Sequence, residues 1–191
     1  MRKADQTKGI FCLEGLWDTD LKKGSTVRPL LELLRVNVNI PYIHRECATV
    51  SEFEFCTQKW PQKRYAGYPI LYLTSHGEEF GINLEDGFVN LDRIGELIGK
   101  RGKNRVIVIS SCSTLETDKR NIRRVLRATE CMAICGYKVD VDWMRSAAFE
   151  ILLFYEMQSN EFSGRGIDSI QRKGRVLSES FPDLGFRIVI S

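Results

Sequence analysis

Two apolar stretches of the chain end in nearly the same way: Ile70-Leu71-Tyr72-Leu73-Thr74-Ser75-His76-Gly77 and, further along, Val106-Ile107-Val108-Ile109-Ser110-Ser111-Cys112-Ser113. Continuous apolar runs that lead into small polar residues are typical of parallel strands buried on both faces of a sheet. Parallel neighbours share one carboxyl edge, where reacting groups gather in α/β proteins. The two stretches therefore predict that His76 and Cys112 project from the same edge of a sheet.

Strand-like and helix-like segments alternate along the rest of the chain. Strands are predicted at residues 9–17, 38–45, 70–73, 106–109, 132–136 and 186–190, with a small hairpin at 80–89. Amphipathic patterns predict helices at 26–35, 49–60, 91–99, 118–129, 141–158 and 167–178, of which 141–158 is the longest. Ser51 and Asn90 are the candidate caps of the second and third helices. The alternation predicts an α/β fold, a three-layer sandwich with a mostly parallel central sheet and helices on both faces.

Length and composition favour a single soluble domain spanning 1–191. The chain has 191 residues, of which 43% are hydrophobic and 28% charged, close to the averages of globular proteins. A net charge of +3 is too small to indicate nucleic-acid or membrane binding. Residues 1–8 lack the apolar core of a secretory signal, and no apolar run approaches the roughly 18 residues that span a bilayer. We therefore expect a cytoplasmic protein with no membrane partner.

The six cysteines are expected to be reduced thiols, because four of them lie in apolar runs and a domain of this size needs no disulfides. Cys131 and Cys135 bracket a predicted strand and lack the CxxC spacing of a zinc site. His44, near Cys47, lacks the glycine and the buried strand that accompany His76, so we interpret it as structural. No metal or other cofactor is expected.

A cysteine and a histidine at one sheet edge can form a nucleophilic site. The attacking species is the thiolate, and a nearby imidazole or helix start lowers the thiol pKa from its reference of about 8.5. Taken singly, His76 has an ordinary interpretation as a strand-end histidine, and Cys112 as a small core residue. Together, with Gly77 and the flanking serines leaving room for a substrate backbone, they predict a nucleophile with its acid/base partner.

The order of these motifs, an apolar strand with His-Gly, a hairpin and helix, then a second apolar strand with Cys, resembles that of caspase-like cysteine peptidases (clan CD). Segments 134–143 and 146–149 are most similar to the bacterial CHAT-type branch, and the resemblance covers roughly residues 10–157. It implies the caspase-haemoglobinase fold and a hydrolase that cleaves peptide bonds with a Cys-His dyad. Cys112 would be the nucleophile, His76 would protonate the leaving amine, and the N–H groups of Gly77 and Cys112 would form the oxyanion hole. A bacterial defence or stress pathway is the setting that the resemblance suggests.

Substrate preference cannot be carried over from caspases, because the residues before and after Cys112 differ from the caspase pattern. Cleavage after arginine or lysine, common elsewhere in the clan, would require an acidic residue in the first substrate pocket. Glu14, Asp140 and Asp142 are the candidates. Asp142 could equally cap the helix that follows it.

Other functions remain open at this point. A non-catalytic caspase-like binding or scaffold domain is the main alternative, and a flavodoxin-type nucleotide-binding module is a weaker one, since no glycine-rich phosphate loop follows the first strand. A helical stripe of arginines is more typical of a solvated face than of a nucleic-acid interface: Arg120, Arg123, Arg124 and Arg127. The expected partners are a protein or peptide substrate and an activating or regulatory protein. Helix 141–158, apolar nearly all round, also suggests a homodimer.

Overall fold

The computed structural model describes residues 7–191, and nine strands and six α-helices are found in them. The strands are β1 (Ile10–Glu14), β2 (Tyr42–Glu46), β3 (Ile70–Thr74), β4 (Gly77–Glu78), β5 (Gly81–Leu84), β6 (Gly87–Asn90), β7 (Val106–Ser110), β8 (Ala133–Tyr137) and β9 (Phe186–Ile190). The helices are α1 (Arg28–Val38), α2 (Val50–Lys59), α3 (Leu91–Ile98), α4 (Lys119–Thr129), α5 (Trp143–Met157) and α6 (Gly164–Glu179).

The central sheet has six strands in the order β2-β1-β3-β7-β8-β9. The first five are parallel, and β9 pairs antiparallel with β8. Strands β4, β5 and β6 form a separate small antiparallel sheet directly after β3. The prediction of an α/β protein with a mostly parallel sheet is confirmed, and the predicted hairpin at 80–89 is the β5–β6 pair.

Both faces of the sheet are buried, which explains why its inner strands are apolar without alternation. In β1, Ile10 and Cys12 pack into one apolar cluster, while Phe11 and Leu13 pack into another on the opposite face. Helices α1, α5 and α6 contribute buried side chains to the first cluster, and α2, α3 and α4 contribute to the second. The parallel strands thereby end at one edge between two helical layers.

Several predicted boundaries differ from the structure for local reasons. The second strand begins only at Tyr42, because α1 continues to Val38 and ends at Asn39, whose φ of 56° is left-handed. Thr49 rather than Ser51 caps α2, in a capping box with Glu52. Asn90 caps α3 as predicted. With 16 residues, α6 is longer than α5, which has 15.

Helix α5 carries apolar side chains on two sides. Phe149 and Leu153 are buried in the core, whereas Met144 and Tyr155 are exposed. The predicted association with a second copy or a regulatory protein stays a prediction, which light scattering at high protein concentration would test. None of the helices in residues 7–191 is long and apolar enough to cross a membrane.

Candidate active site

His76 and Cys112 leave the central sheet at the same edge. Strands β3 and β7 are parallel neighbours in which Thr74 pairs with Ser110, so the two chains leave the sheet side by side. His76 and Cys112 both line a cavity of about 200 Å³ at this edge. The sequence prediction that the two side chains share an edge is confirmed.

The orientation of His76 is set by a backbone carbonyl. Its Nε2 atom lies 2.9 Å from the carbonyl oxygen of Trp17, and the two rings meet edge to face with centroids 5.4 Å apart. Because a carbonyl only accepts hydrogen bonds, Nε2 carries the proton and donates. In the neutral ring, Nδ1 is then the basic nitrogen, and it has no hydrogen-bond partner within residues 7–191. The histidine is therefore held in the tautomer that can exchange a proton through Nδ1.

Cys112 is partly buried and follows β7 in a tight turn. The next residue, Ser113, has a φ of 53°, and its N–H donates to the carbonyl of Val139. The N–H of Cys112 itself makes no hydrogen bond to an acceptor in the described part of the chain. Helix α4 begins at Lys119 with Asp118 as its cap, as the sequence predicts, so residues 113–118 separate the helix start from Cys112.

Gly77 lies against the turn that holds Cys112. A Cβ atom at this position would come within 2.6 Å of Ser111 Cβ and of Thr114 Oγ1, and within 2.7 Å of the Cys112 carbonyl oxygen. Real Cβ contacts are essentially never this short. The glycine therefore allows the turn after β3 to touch the turn that holds Cys112, which only a residue without a side chain permits.

Glu14, a sequence candidate for the substrate pocket, instead holds the chain segment that follows β1. It is buried, it does not line the cavity of His76 and Cys112, and its carboxylate fixes the segment 15–27 at both ends. Oε1 accepts from Trp17 Nε1 at 2.7 Å and from the Val27 N–H at 2.8 Å. Oε2 accepts from Thr26 Oγ1 at 2.7 Å and lies 2.6 Å from His44 Nε2. Glu14 thus holds the residue whose carbonyl orients His76, and His44, interpreted as structural, is part of the same network.

Replacing Glu14 by glutamine is expected to lower the free energy of unfolding by about 1.5–3 kcal/mol at pH 7, the range for a hydrogen-bonded buried charge. Burial raises the pKa of Glu14, but the hydrogen bonds from His44, Trp17, Thr26 and Val27 outweigh it and leave the pKa below its ordinary value. A lowered pKa gives stability that is present above the unfolded pKa, about 4.3 for Glu, and is lost as the pH falls through the folded value.

Urea unfolding of the wild type and Glu14→Gln at pH 7 and below pH 4 measures this difference. Glu46→Gln is the matched control, because Glu46 is the exposed register partner of Glu14 in the neighbouring strand. Equal stability of the two variants at pH 7 would show that the Glu14 network is not needed to hold the segment.

The two aspartates predicted for the substrate pocket lie at the rim of the site. Asp140 is exposed and accepts a hydrogen bond of 3.1 Å from Ser113 Oγ, next to Cys112. Asp142 accepts from the Arg145 N–H at 2.9 Å and is the N-cap of α5, which is the alternative that the sequence left open. Neither is among the residues that line the cavity.

Sequence analysis did not single out Glu150, the acidic residue that does line the cavity. It lies on α5 and is only 2% exposed, and its carboxyl group accepts from Tyr72 and Tyr137. A glutamate between Phe149 and Ile151 in an apolar helix is the signal that could have identified it, since an acidic residue is rarely fully buried without a partner.

Two of the four arginines in the α4 stripe form ion pairs with acidic neighbours. Arg124 forms an ion pair of 2.6 Å with Asp92, and Arg120 one of 3.2 Å with Asp118. Such exposed pairs are worth little in stability, but they reduce the positive charge available to a nucleic acid. The described residues also contain no cluster of three or more His, Cys, Asp or Glu side chains suited to a metal ion.

The fold and the cavity define an α/β protein with a cysteine and a histidine at the carboxyl edge of a mostly parallel sheet. Residues 7–179 match the model of DUF6642, a family of unknown function, and the chain belongs to that family. A comparison with curated proteins finds no match.

Proposed function

We propose that this protein is a cysteine endopeptidase with the caspase-haemoglobinase fold, in which Cys112 is the nucleophile and His76 the acid/base. The observation that carries the proposal is the pairing of β3 with β7, which brings both side chains to one cavity. The contact of His76 Nε2 with the Trp17 carbonyl supports it, because it leaves Nδ1 for proton transfer. Resemblance to the caspase-like peptidases adds to these two observations.

The proposed reaction proceeds through a thioester. The Cys112 thiol proton passes to His76 Nδ1, and the thiolate attacks the carbonyl carbon of the scissile bond, so that a C–S bond forms and the carbonyl π electrons move to oxygen. The N–H groups of Gly77 and Cys112 would stabilise this oxyanion. The C–N bond then breaks, and the proton on Nδ1 goes to the leaving amine. Water then attacks the thioester carbonyl carbon and gives one proton to His76 Nδ1, so that a C–O bond forms. The C–S bond breaks, and the proton on Nδ1 passes to the sulfur, which releases the acid and restores the Cys112 thiol.

The other cysteines provide an internal comparison for the reactivity of Cys112. All six cysteines are unpaired, which suits a reducing compartment such as the cytoplasm. Burial raises the pKa of Cys12, Cys47 and Cys135, and it raises the pKa of Cys131 to about 11. Cys56 is partly buried like Cys112, so it is the matched control thiol.

The test is limited alkylation with iodoacetamide at pH 7, read residue by residue by mass spectrometry, together with hydrolysis of a fluorogenic peptide library. We expect Cys112 to react at least ~10-fold faster than Cys56, because His76 lines the same cavity and would accept the thiol proton as the sulfur attacks. His76→Ala should slow the labelling of Cys112 and leave Cys56 unchanged. Equal labelling of Cys112 and Cys56 in the wild type, with no cleaved peptide, would favour the non-catalytic binding domain instead.

A further inference from the structure

A second cavity, of about 250 Å³, lies beside β9, the last strand of the central sheet. Four of the residues that line it are cationic: Lys119, Lys138, Arg175 and Arg187. The others, Phe186 and Ile188, are uncharged residues of β9. The four cations come from α4, from the residue after β8, from α6 and from β9. The fold therefore brings together positive charges that are far apart in the sequence.

No acidic side chain balances these charges. Neither aspartate nor glutamate is among the residues that line the cavity, and none of the four cations forms an ion pair within residues 7–191. In the arginine stripe of α4, by contrast, Arg124 pairs with Asp92. Like charges that converge without a counter-charge repel one another, and a bound anion would relieve that repulsion.

The guanidinium group of Arg187 is held in place and still has free donors. Its Nη1 atom donates to the Leu115 carbonyl at 3.0 Å and to the Thr117 carbonyl at 2.6 Å. These two bonds use both N–H groups of Nη1, whereas Nε and Nη2 make no hydrogen bond in the described part of the chain. Nε and Nη2 form the fork that donates to two oxygens of a phosphate group at once. Arg187 is therefore oriented in advance for an anion with this geometry.

The outer edge of β9 adds main-chain donors. This strand pairs with β8 on one side, and the Lys138 N–H donates to the Gly185 carbonyl at 3.2 Å. In an antiparallel pair, positions that exchange hydrogen bonds alternate with positions that face away from the partner strand. Phe186 and Ile188 therefore direct their N–H groups away from β8. Both residues line the cavity, which offers N–H donors as well as charged side chains.

We propose that this cavity binds the oligophosphate group of a small molecule. Several negative charges on one ligand match the four cations, and phosphate oxygens match the fork of Arg187 and the outward N–H groups of β9. A free inorganic oligophosphate and the phosphate chain of a nucleotide share this chemistry. The proposal goes beyond the peptidase function and does not depend on it, because the cavity has no lining residue in common with the cavity of Cys112.

The first test is calorimetric titration of the wild-type protein with inorganic tripolyphosphate. We expect tripolyphosphate to bind at least ~10-fold more tightly than inorganic phosphate or citrate at matched ionic strength. ATP distinguishes the two sources: tighter binding than tripolyphosphate assigns the site to a nucleotide, and equal or weaker binding assigns it to free oligophosphate. Citrate that binds as tightly as tripolyphosphate would overturn the proposal, as would a titration without tripolyphosphate binding.

The second test separates a built site from general attraction to a basic protein. Lys138→Gln/Arg175→Gln removes two cations of the cavity whose side chains make no hydrogen bond within residues 7–191. Lys103→Gln/Arg127→Gln is the matched control, because it removes the same charge from two exposed residues outside the cavity. We expect the first variant to bind tripolyphosphate at least ~10-fold more weakly, and the control to stay within ~3-fold of the wild type. Equal losses in the two variants would overturn the site.

The third test locates the ligand on the wild-type chain and needs no variant. Lysines are acetylated with acetic anhydride, with and without saturating tripolyphosphate, and the modification is read residue by residue by mass spectrometry. We expect the ligand to slow acetylation of Lys119 and Lys138 at least ~5-fold and to leave Lys103 unchanged. Unchanged rates at Lys119 and Lys138 would overturn the assignment of the ligand to this cavity.

Discussion

Hydrolysis of a cleavable peptide is expected to fall by at least ~1000-fold when Cys112 or His76 is replaced by alanine, because each change removes one half of the proposed covalent mechanism. Cys112→Ala leaves no nucleophile for thioester formation. His76→Ala leaves the thiol without a proton acceptor and the amine without a proton donor. Both side chains border the cavity, so neither substitution removes a large apolar group from the core.

The two substitutions should also be strongly non-additive. The two groups act as one unit. The activity of the Cys112→Ala/His76→Ala double variant is therefore expected to be within a few-fold of that of the less active single variant. Initial rates with one fluorogenic peptide measure all three proteins, and Cys56→Ala serves as the control for loss of a thiol. A Cys112→Ala protein that keeps a tenth of the wild-type rate would exclude Cys112 as the nucleophile.

Gly77→Ala is expected to reduce kcat by about 100-fold, the effect of losing an oxyanion donor. The added Cβ would lie 2.6 Å from Ser111 Cβ and 2.7 Å from the Cys112 carbonyl oxygen, so the two turns must move apart. That movement displaces both N–H groups proposed to stabilise the oxyanion. Overpacking of this kind also costs about 1–3 kcal/mol of stability.

Steady-state kinetics and urea unfolding together separate these two effects. Gly67→Ala is the matched control, since a Cβ at that glycine meets no atom within 4 Å. We expect KM for the peptide to change little in Gly77→Ala, because the oxyanion forms only after binding. A Gly77→Ala protein with wild-type kcat would show that the approach of the two turns has no role in catalysis.

The sheet and the position of the Cys–His pair could be predicted from the sequence because both depend on local pattern. Uninterrupted apolar runs identify strands that are covered on both faces, and the residues that follow them must lie at one edge. The direction of β9 could not be predicted in this way, because five residues of apolar pattern fit a parallel or an antiparallel neighbour equally well.

The roles of the acidic residues depend on contacts between distant parts of the chain. Such contacts cannot be predicted from the local sequence pattern. Glu14 is fixed by Trp17, Thr26, Val27 and His44, and Glu150 by tyrosines on β3 and β8. For Asp142 the sequence left a helix cap open beside the substrate pocket, because a cap depends only on its nearest neighbours. The sequence therefore located the His76–Cys112 pair better than the acidic groups that surround it.

The acceptor that orients His76 is the main-chain oxygen of Trp17, which every amino acid at that position would also supply. A substitution at residue 17 removes the indole contacts with His76 and Trp143 and the hydrogen bond to Glu14, but leaves the oxygen in the chain. Evolution can therefore exchange this side chain without deleting the acceptor, provided that the segment keeps its path without the hydrogen bond from the indole to Glu14. Selection must instead preserve the path of the segment 15–27, and we expect that constraint to act on Glu14, which fixes the segment.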